Sequence, residues 1–180
     1  MRHTGLADRP APLPAAGGYR FALIVSRFNE PVTRALVDGA RAALVEAGAA
    51  DADLEEVEVP GAFELPQAAR SVAQTGRFDA VVCLGCVIRG ETPHFEYISS
   101  AVAHGIMEAS GATGVPIAFG VLTTDTLAQA EARAGAGSDN KGREAAAAAI
   151  EMAALFRRLG RPPAKASGGR RFGFSGGGDE

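Results

Sequence analysis

No apolar run in this 180-residue sequence is long enough to cross a bilayer, which excludes a membrane-spanning helix. The first 18 residues lack an apolar signal core. They carry Pro10, Pro12 and Pro14 among small residues and are expected to form a flexible segment. With neither a span nor a secretory signal, the expected compartment is the cytoplasm. Basic stripes are missing too. The formal net charge is −3, and no predicted helix gathers Lys and Arg on one face. Nucleic acid is therefore excluded as the main partner.

Cysteine is scarce. Cys83 and Cys86 are the only two, and their C-x-x-C spacing could mark a thioredoxin-like redox site. Such a pair opens a helix, whose N-terminus stabilises the first thiolate. Cys83 instead lies inside Ala80-Val81-Val82-Cys83-Leu84-Gly85, which reads as a buried strand. Residues three apart on a strand face opposite sides. Core packing is the preferred reading for both. Glycine fingerprints are absent as well: no G-x-G-x-x-G follows the first strand and there is no Walker loop, which argues against NAD or ATP.

What is present is a globular composition, 47% apolar, in a length that suits one domain over residues 19–160. Four apolar runs alternate with helical patterns. The predicted strands are 21–25, 54–59, 80–86 and 116–122. Glu55, Glu56 and Glu58 interrupt the second, so it is expected at an edge or under a thinner cover. Predicted helices cover 31–47, 66–75, 93–110, 126–133 and 141–159. Thr92 is expected to cap the third helix, and Gly111 and Gly114 to end it. Ala149, Met152, Phe156 and Leu159 are expected to form the buried stripe of the last. This alternation predicts a three-layer α/β/α sandwich around a four-stranded parallel sheet, flavodoxin-like or Rossmann-like, with flavodoxin-like the preferred reading. The glycine-rich tail 161–180, with Phe172 and Phe174 as its only aromatics, reads as disordered.

Open parallel sheets bind ligands at the carboxyl ends of their strands. Here those ends read Ser26-Arg27-Phe28-Asn29, Pro60-Gly61-Ala62-Phe63-Glu64, Gly85 through His94, and Thr123-Thr124-Asp125. Phe28 could be core or a platform for a flat ring. Glu64 near a helix start is favoured electrostatically with or without a ligand. Gly90-Glu91-Thr92 opens a helix whose free amides could hold a phosphate. His94 in the same opening turn is either an ordinary polar residue or a proton shuttle. Arg133 and Lys141 flank a glycine-containing loop, as surface charges or as a pair that neutralises phosphate. Together these residues suggest an enzyme for a flat heterocycle and a phosphorylated small molecule.

The string Gly85-Cys86-Val87-Ile88-Arg89-Gly90-Glu91-Thr92-Pro93-His94-Phe95-Glu96-Tyr97 resembles the lumazine synthase family. So do Arg27-Phe28-Asn29, Pro60-Gly61-Ala62-Phe63-Glu64 and Asn140-Lys141-Gly142. The resemblance runs from about Tyr19 to Leu159, with the motifs in the family's order. It implies condensation of 5-amino-6-(D-ribitylamino)uracil with 3,4-dihydroxy-2-butanone 4-phosphate to 6,7-dimethyl-8-ribityllumazine, releasing phosphate and water. It also implies roles. Phe28 stacks on the pyrimidine, while Ala62, Phe63 and Glu64 hold the ring and ribityl chain. Cys86, Val87 and Ile88 offer mainly backbone contacts, and Phe119 is an aromatic added by a neighbouring subunit. Glu91, Thr92, Arg133 and Lys141 bind phosphate, and His94 transfers protons. No metal or redox cofactor is implied. The implied partners are the two small-molecule substrates, further copies in a pentamer that can close into an icosahedral shell, and riboflavin synthase. Three readings compete with it: a flavin or nucleotide binder without catalysis, a shell protein with a degenerate pocket, and a C-x-x-C oxidoreductase.

Overall fold

The computed structural model describes residues 13–162 and 164. The expectations for residues 1–12, Phe172 and Phe174 lie outside them. Strand β1 (Phe21–Ser26) leads into helix α1 (Glu30–Glu46), then β2 (Leu54–Val59), α2 (Leu65–Gln74), β3 (Ala80–Ile88), α3 (His94–Thr113) and β4 (Ile117–Thr124). Helices α4 (Leu127–Ala134) and α5 (Lys141–Arg158) complete the order. All strands are parallel, in the order β2-β1-β3-β4. The predicted three-layer α/β/α sandwich with a four-stranded flavodoxin-like sheet is therefore the observed fold. Because β1 sends its chain one way to β2 while β3 lies on its other side, the crevice between β1 and β3 is the switch point where ligands bind in such sheets.

The sheet is covered on both faces, since Ser26 is the one polar side chain in β1 and β3. Leu23, Val25, Val82 and Leu84 pack with Leu36, Leu44 and Ile150 on the face of α1 and α5. Ile24, Val81 and Cys83 pack with Leu65, Val72, Val102 and Ile106 on the face of α2 and α3. Each such aliphatic side chain contributes about 1.5–3 kcal/mol of burial. Cys83 and Cys86 fall in opposite core clusters, as strand alternation requires. Burial pushes their thiols up to about 12 and about 11, so neither supplies a thiolate near neutral pH.

The glutamates of β2 have a physical explanation. The strand is an edge, with β1 on one side only. Glu56 and Glu58 project to one face and pair with Arg34 of α1, Glu58 at 3.5 Å. Glu55 projects to the other and pairs with Arg77.

Several boundaries differ from expectation. Thr92 does not cap α3: Pro93 holds that position and no side-chain cap bond forms. The helix runs on through Gly111 to Thr113, and Gly114, left-handed at φ 64°, ends it. Glycine inside a helix is a modest cost that packing overrides. The α5 stripe also differs. Ala145, Ala146, Ala149, Ile150 and Ala153 are buried, whereas Met152 and Leu159 are exposed. Small side chains let α5 lie close to α1 and the sheet, Phe156 is half-buried, and Met152 and Leu159 are turned outward. At the chain ends, Ala16 is buried and donates to the Ala47 carbonyl at 2.7 Å, and Arg161 donates to the Gly114 carbonyl at 2.6 Å. No helix among the described residues is long and apolar enough to cross a membrane.

Candidate active site

The chain leaves β1 in a turn that Asn29 makes possible. Its backbone is left-handed at φ 61°, a conformation that asparagine tolerates better than most residues. Its side chain donates to the Cys86 carbonyl at 3.0 Å, tying the end of β1 to the end of β3. Backbone bonds from Arg27 to Val59 and from Phe28 to Pro60, at 2.9 and 3.3 Å, tie it to β2. This turn pushes Phe28 outward. It is 70% exposed, which decides against the core reading.

After β2, a short 3-10 turn (Ala62–Glu64) bends the chain into α2. The Glu64 carboxylate accepts from the Gly61 backbone N–H at 2.9 Å, so its orientation is fixed before any ligand arrives. Phe63 beside it is 59% exposed. At the end of β3, Arg89 acts as a clasp. Its Nε donates to Asp125 at 2.7 Å, it pairs with Glu96, and its guanidinium lies 4.4 Å from the centre of the Phe95 ring. These bonds hold Glu96 below the usual carboxylate range. They also link the ends of β3 and β4 to the first turn of α3, where His94 is the first helical residue.

These pieces enclose a hollow of about 450 Å³. Phe28, Ala62, Phe63 and Glu64 form one side, and Cys86, Val87 and Ile88 the floor. Thr92 and His94 stand at the start of α3, whose opening turn leaves backbone N–H groups available to an anion. Glu91 is exposed and does not line the hollow. Pro60, Gly90, Phe95 and Ile98 line it as well; all stand inside or next to the motif strings, which is the signal that could have found them.

The remaining expected residues are elsewhere. Phe119, Arg133 and Lys141 line a second hollow of about 390 Å³ at the outer edge, between β4, α4 and α5. Phe119 is mid-strand yet 44% exposed, because β4 is an edge strand. Arg133 donates to the Gln129 carbonyl at 2.9 Å, and Lys141 pairs with Glu144. The two hollows share no lining residue. Among the described residues there is no group of three or more His, Cys, Asp or Glu placed to hold a metal ion.

The sheet order and a cleft at its switch point define a flavodoxin-like α/β protein. Comparison with known proteins narrows that class. Residues 18–157 match the family described as 6,7-dimethyl-8-ribityllumazine synthase. A protein of that name from Syntrophus aciditrophicus (strain SB) is 56% identical over 144 residues, covering 80% of this chain and 94% of the relative. Another, from Salinibacter ruber (strain DSM 13855 / M31), is 56% identical over 142 residues, covering 79% and 91%. The chain belongs to the 6,7-dimethyl-8-ribityllumazine synthase family.

Proposed function

We propose that this chain condenses 5-amino-6-(D-ribitylamino)uracil with 3,4-dihydroxy-2-butanone 4-phosphate to give 6,7-dimethyl-8-ribityllumazine, in riboflavin biosynthesis. The observation that carries the reading is the first hollow, where a fixed carboxylate, two exposed aromatic rings, a histidine and a helix start converge. Phe28 stacks on the pyrimidine, with Phe63 beside it. Glu64, held by Gly61, accepts from ribityl hydroxyls, and backbone groups of Ala62, Cys86, Val87 and Ile88 meet the ring. The amine attacks the ketone to form an imine and water leaves. Phosphate is then eliminated, the enol rearranges, and ring closure with loss of a second water gives the product. His94 moves protons among these steps. Holding two substrates in register supplies much of the acceleration, up to about 7–11 kcal/mol in favourable cases.

The phosphate half is divided. Thr92 lines the first hollow and Glu91 stands just outside it, whereas Arg133 and Lys141 lie with Phe119 in the second. We propose that the working site forms where the second hollow of one copy meets the first hollow of the next. Two different patches of one chain that dock on each other make a head-to-tail contact, and such contacts close into rings when the rotation allows. A pentamer fits that geometry, and closure of pentamers into an icosahedral shell is the larger assembly proposed. Exposed Tyr97 and Met107 on α3 support burial of that helix against further copies. The product would pass to riboflavin synthase in the cytoplasm.

The test is to mix purified protein with both substrates and follow lumazine absorbance and fluorescence, with light scattering for mass. Rates well above the uncatalysed reaction from an oligomer are expected. Folded oligomer without acceleration would leave a ligand-binding or shell role, and a monomer would refute the shared site.

A further inference from the structure

We infer that Asn140 is a positioning residue that sets the spacing between Arg133 and Lys141; the inference rests on reading their hollow as the phosphate half of the site. Asn140 stands between the two helices that carry those cations. Helix α4 ends one residue beyond Arg133, and α5 begins at Lys141. The Asn140 residue is only 3% exposed and lies where α1, α4 and α5 meet.

Its amide is used at both ends. Nδ2 donates to the carbonyls of Ala35 in α1 at 3.0 Å, Ala134 at the end of α4 at 2.7 Å, and Gly135 at 3.2 Å. Oδ1 accepts from the backbone N–H groups of Gly142 at 2.8 Å and Arg143 at 3.2 Å. One side chain thus fastens the last carbonyls of α4 and the first amides of α5 to α1. Only an amide carries both donors and an acceptor at this length and without charge. The packing leaves no slack. A Cβ on Gly39 would fall 2.2 Å from Asn140 Oδ1, and one on Gly142 would fall 1.9 Å from the Leu36 carbonyl oxygen.

Among the described residues, the cations themselves have only local anchors. Arg133 bonds to Gln129 and Lys141 pairs with Glu144, each within its own helix. Those bonds fix each side chain to its own helix; alanine packing brings α4 and α5 against α1, and Asn140 is the side chain that bonds to all three. An N-cap that merely stabilised α5 would need the Oδ1 bonds and nothing else. The three bonds from Nδ2 are the part that a cap does not explain.

Asn140→Ser separates the two roles. Serine keeps a good capping oxygen but cannot span to α1 and α4. Gly39→Ala keeps the asparagine itself, adds a methyl group that helix propensity favours, and displaces the Asn140 amide. In the assembled protein, both variants are expected to weaken calorimetric binding of inorganic phosphate about tenfold, the size of one misplaced charge-assisted hydrogen bond. The KM for the phosphorylated ketone should rise in parallel, while the KM for the pyrimidine stays within about twofold. A folded variant with unchanged phosphate binding, or with both KM values shifted together, would overturn the inference. If Asn140→Ser fails to fold, Gly39→Ala decides alone. Phosphate binding is read without turnover, so a protein that binds phosphate but forms no lumazine would refute the enzymatic reading and leave this one standing.

Discussion

The two hollows meet different problems with different materials. The first is made of strand ends. Its rings are exposed, its carboxylate is fixed by a backbone N–H three residues away, and its floor belongs to the sheet. The second is made of helix ends. Its candidate groups are the cations Arg133 and Lys141, whose spacing we have proposed a buried amide sets. A flat ring needs a rigid, partly apolar slot, and topology supplies one at the switch point between β1 and β3. A dianion needs concentrated positive charge, and the paired ends of α4 and α5 bring it at the opposite edge of the sheet. The two hollows of one chain have no lining residue in common, which is the ground for the proposal that each copy carries half of two sites.

The largest effect should come from the second hollow. Arg133→Ala is expected to lower kcat/KM for the phosphorylated ketone roughly 10²–10³-fold, as loss of a charged partner to a buried phosphate does. Steady-state kinetics with the pyrimidine saturating checks this. An effect confined to the pyrimidine KM would assign Arg133 to the wrong half.

A smaller effect is expected from the first. Phe28→Ala should raise the KM for the pyrimidine about tenfold, in line with the loss of one stacking contact. The KM for the ketone should hardly move. Equal changes in both would blur the division of labour between the hollows.

The smallest effect concerns the cysteines. Cys83 has an ordinary value of 9.0 and is raised to about 12 in the fold by burial. The native state keeps a proton that the unfolded chain releases above that ordinary value. Stability is therefore intact below it and falls as pH rises toward the folded value, by at most about 1.4 kcal/mol per pH unit. Thermal melts across the alkaline range should show this limb, and Cys83→Ala should flatten it. Near neutral pH, iodoacetamide should leave activity unchanged, because Cys86 is held protonated at the floor of the first hollow. Rapid inactivation there would revive the redox reading.

The strands and their parallel sense were legible because continuous apolar runs alternate with helical patterns, and the glutamates of β2 pointed to an edge or a thinner cover, of which the fold shows the edge. Helix ends were less legible. Gly111 looked like a stop, but α3 passes through it to Gly114, since packing decides where a weak propensity does not. Met152 and Leu159 looked like core, but a stripe of alanines is what lets α5 approach the sheet. In the first hollow, the strand-end rule and the motif strings located the lining together. The second hollow was legible as a pair of cations only. Phe119 sits mid-strand where no strand-end rule applies, and the part played by Asn140 depends on contacts about a hundred residues apart in sequence.

The central claim is that the site is shared between copies, and subunit complementation tests it most directly. His94→Ala disables the first hollow and Arg133→Ala the second. Each homo-oligomer should be nearly inactive. After the two are unfolded together and reassembled at equal amounts, about a quarter of head-to-tail contacts join two intact halves. Recovery of about that fraction of the unaltered activity is the predicted result. If the mixed assembly is no more active than the two variants assembled apart, each site is contained in a single chain and the account is wrong.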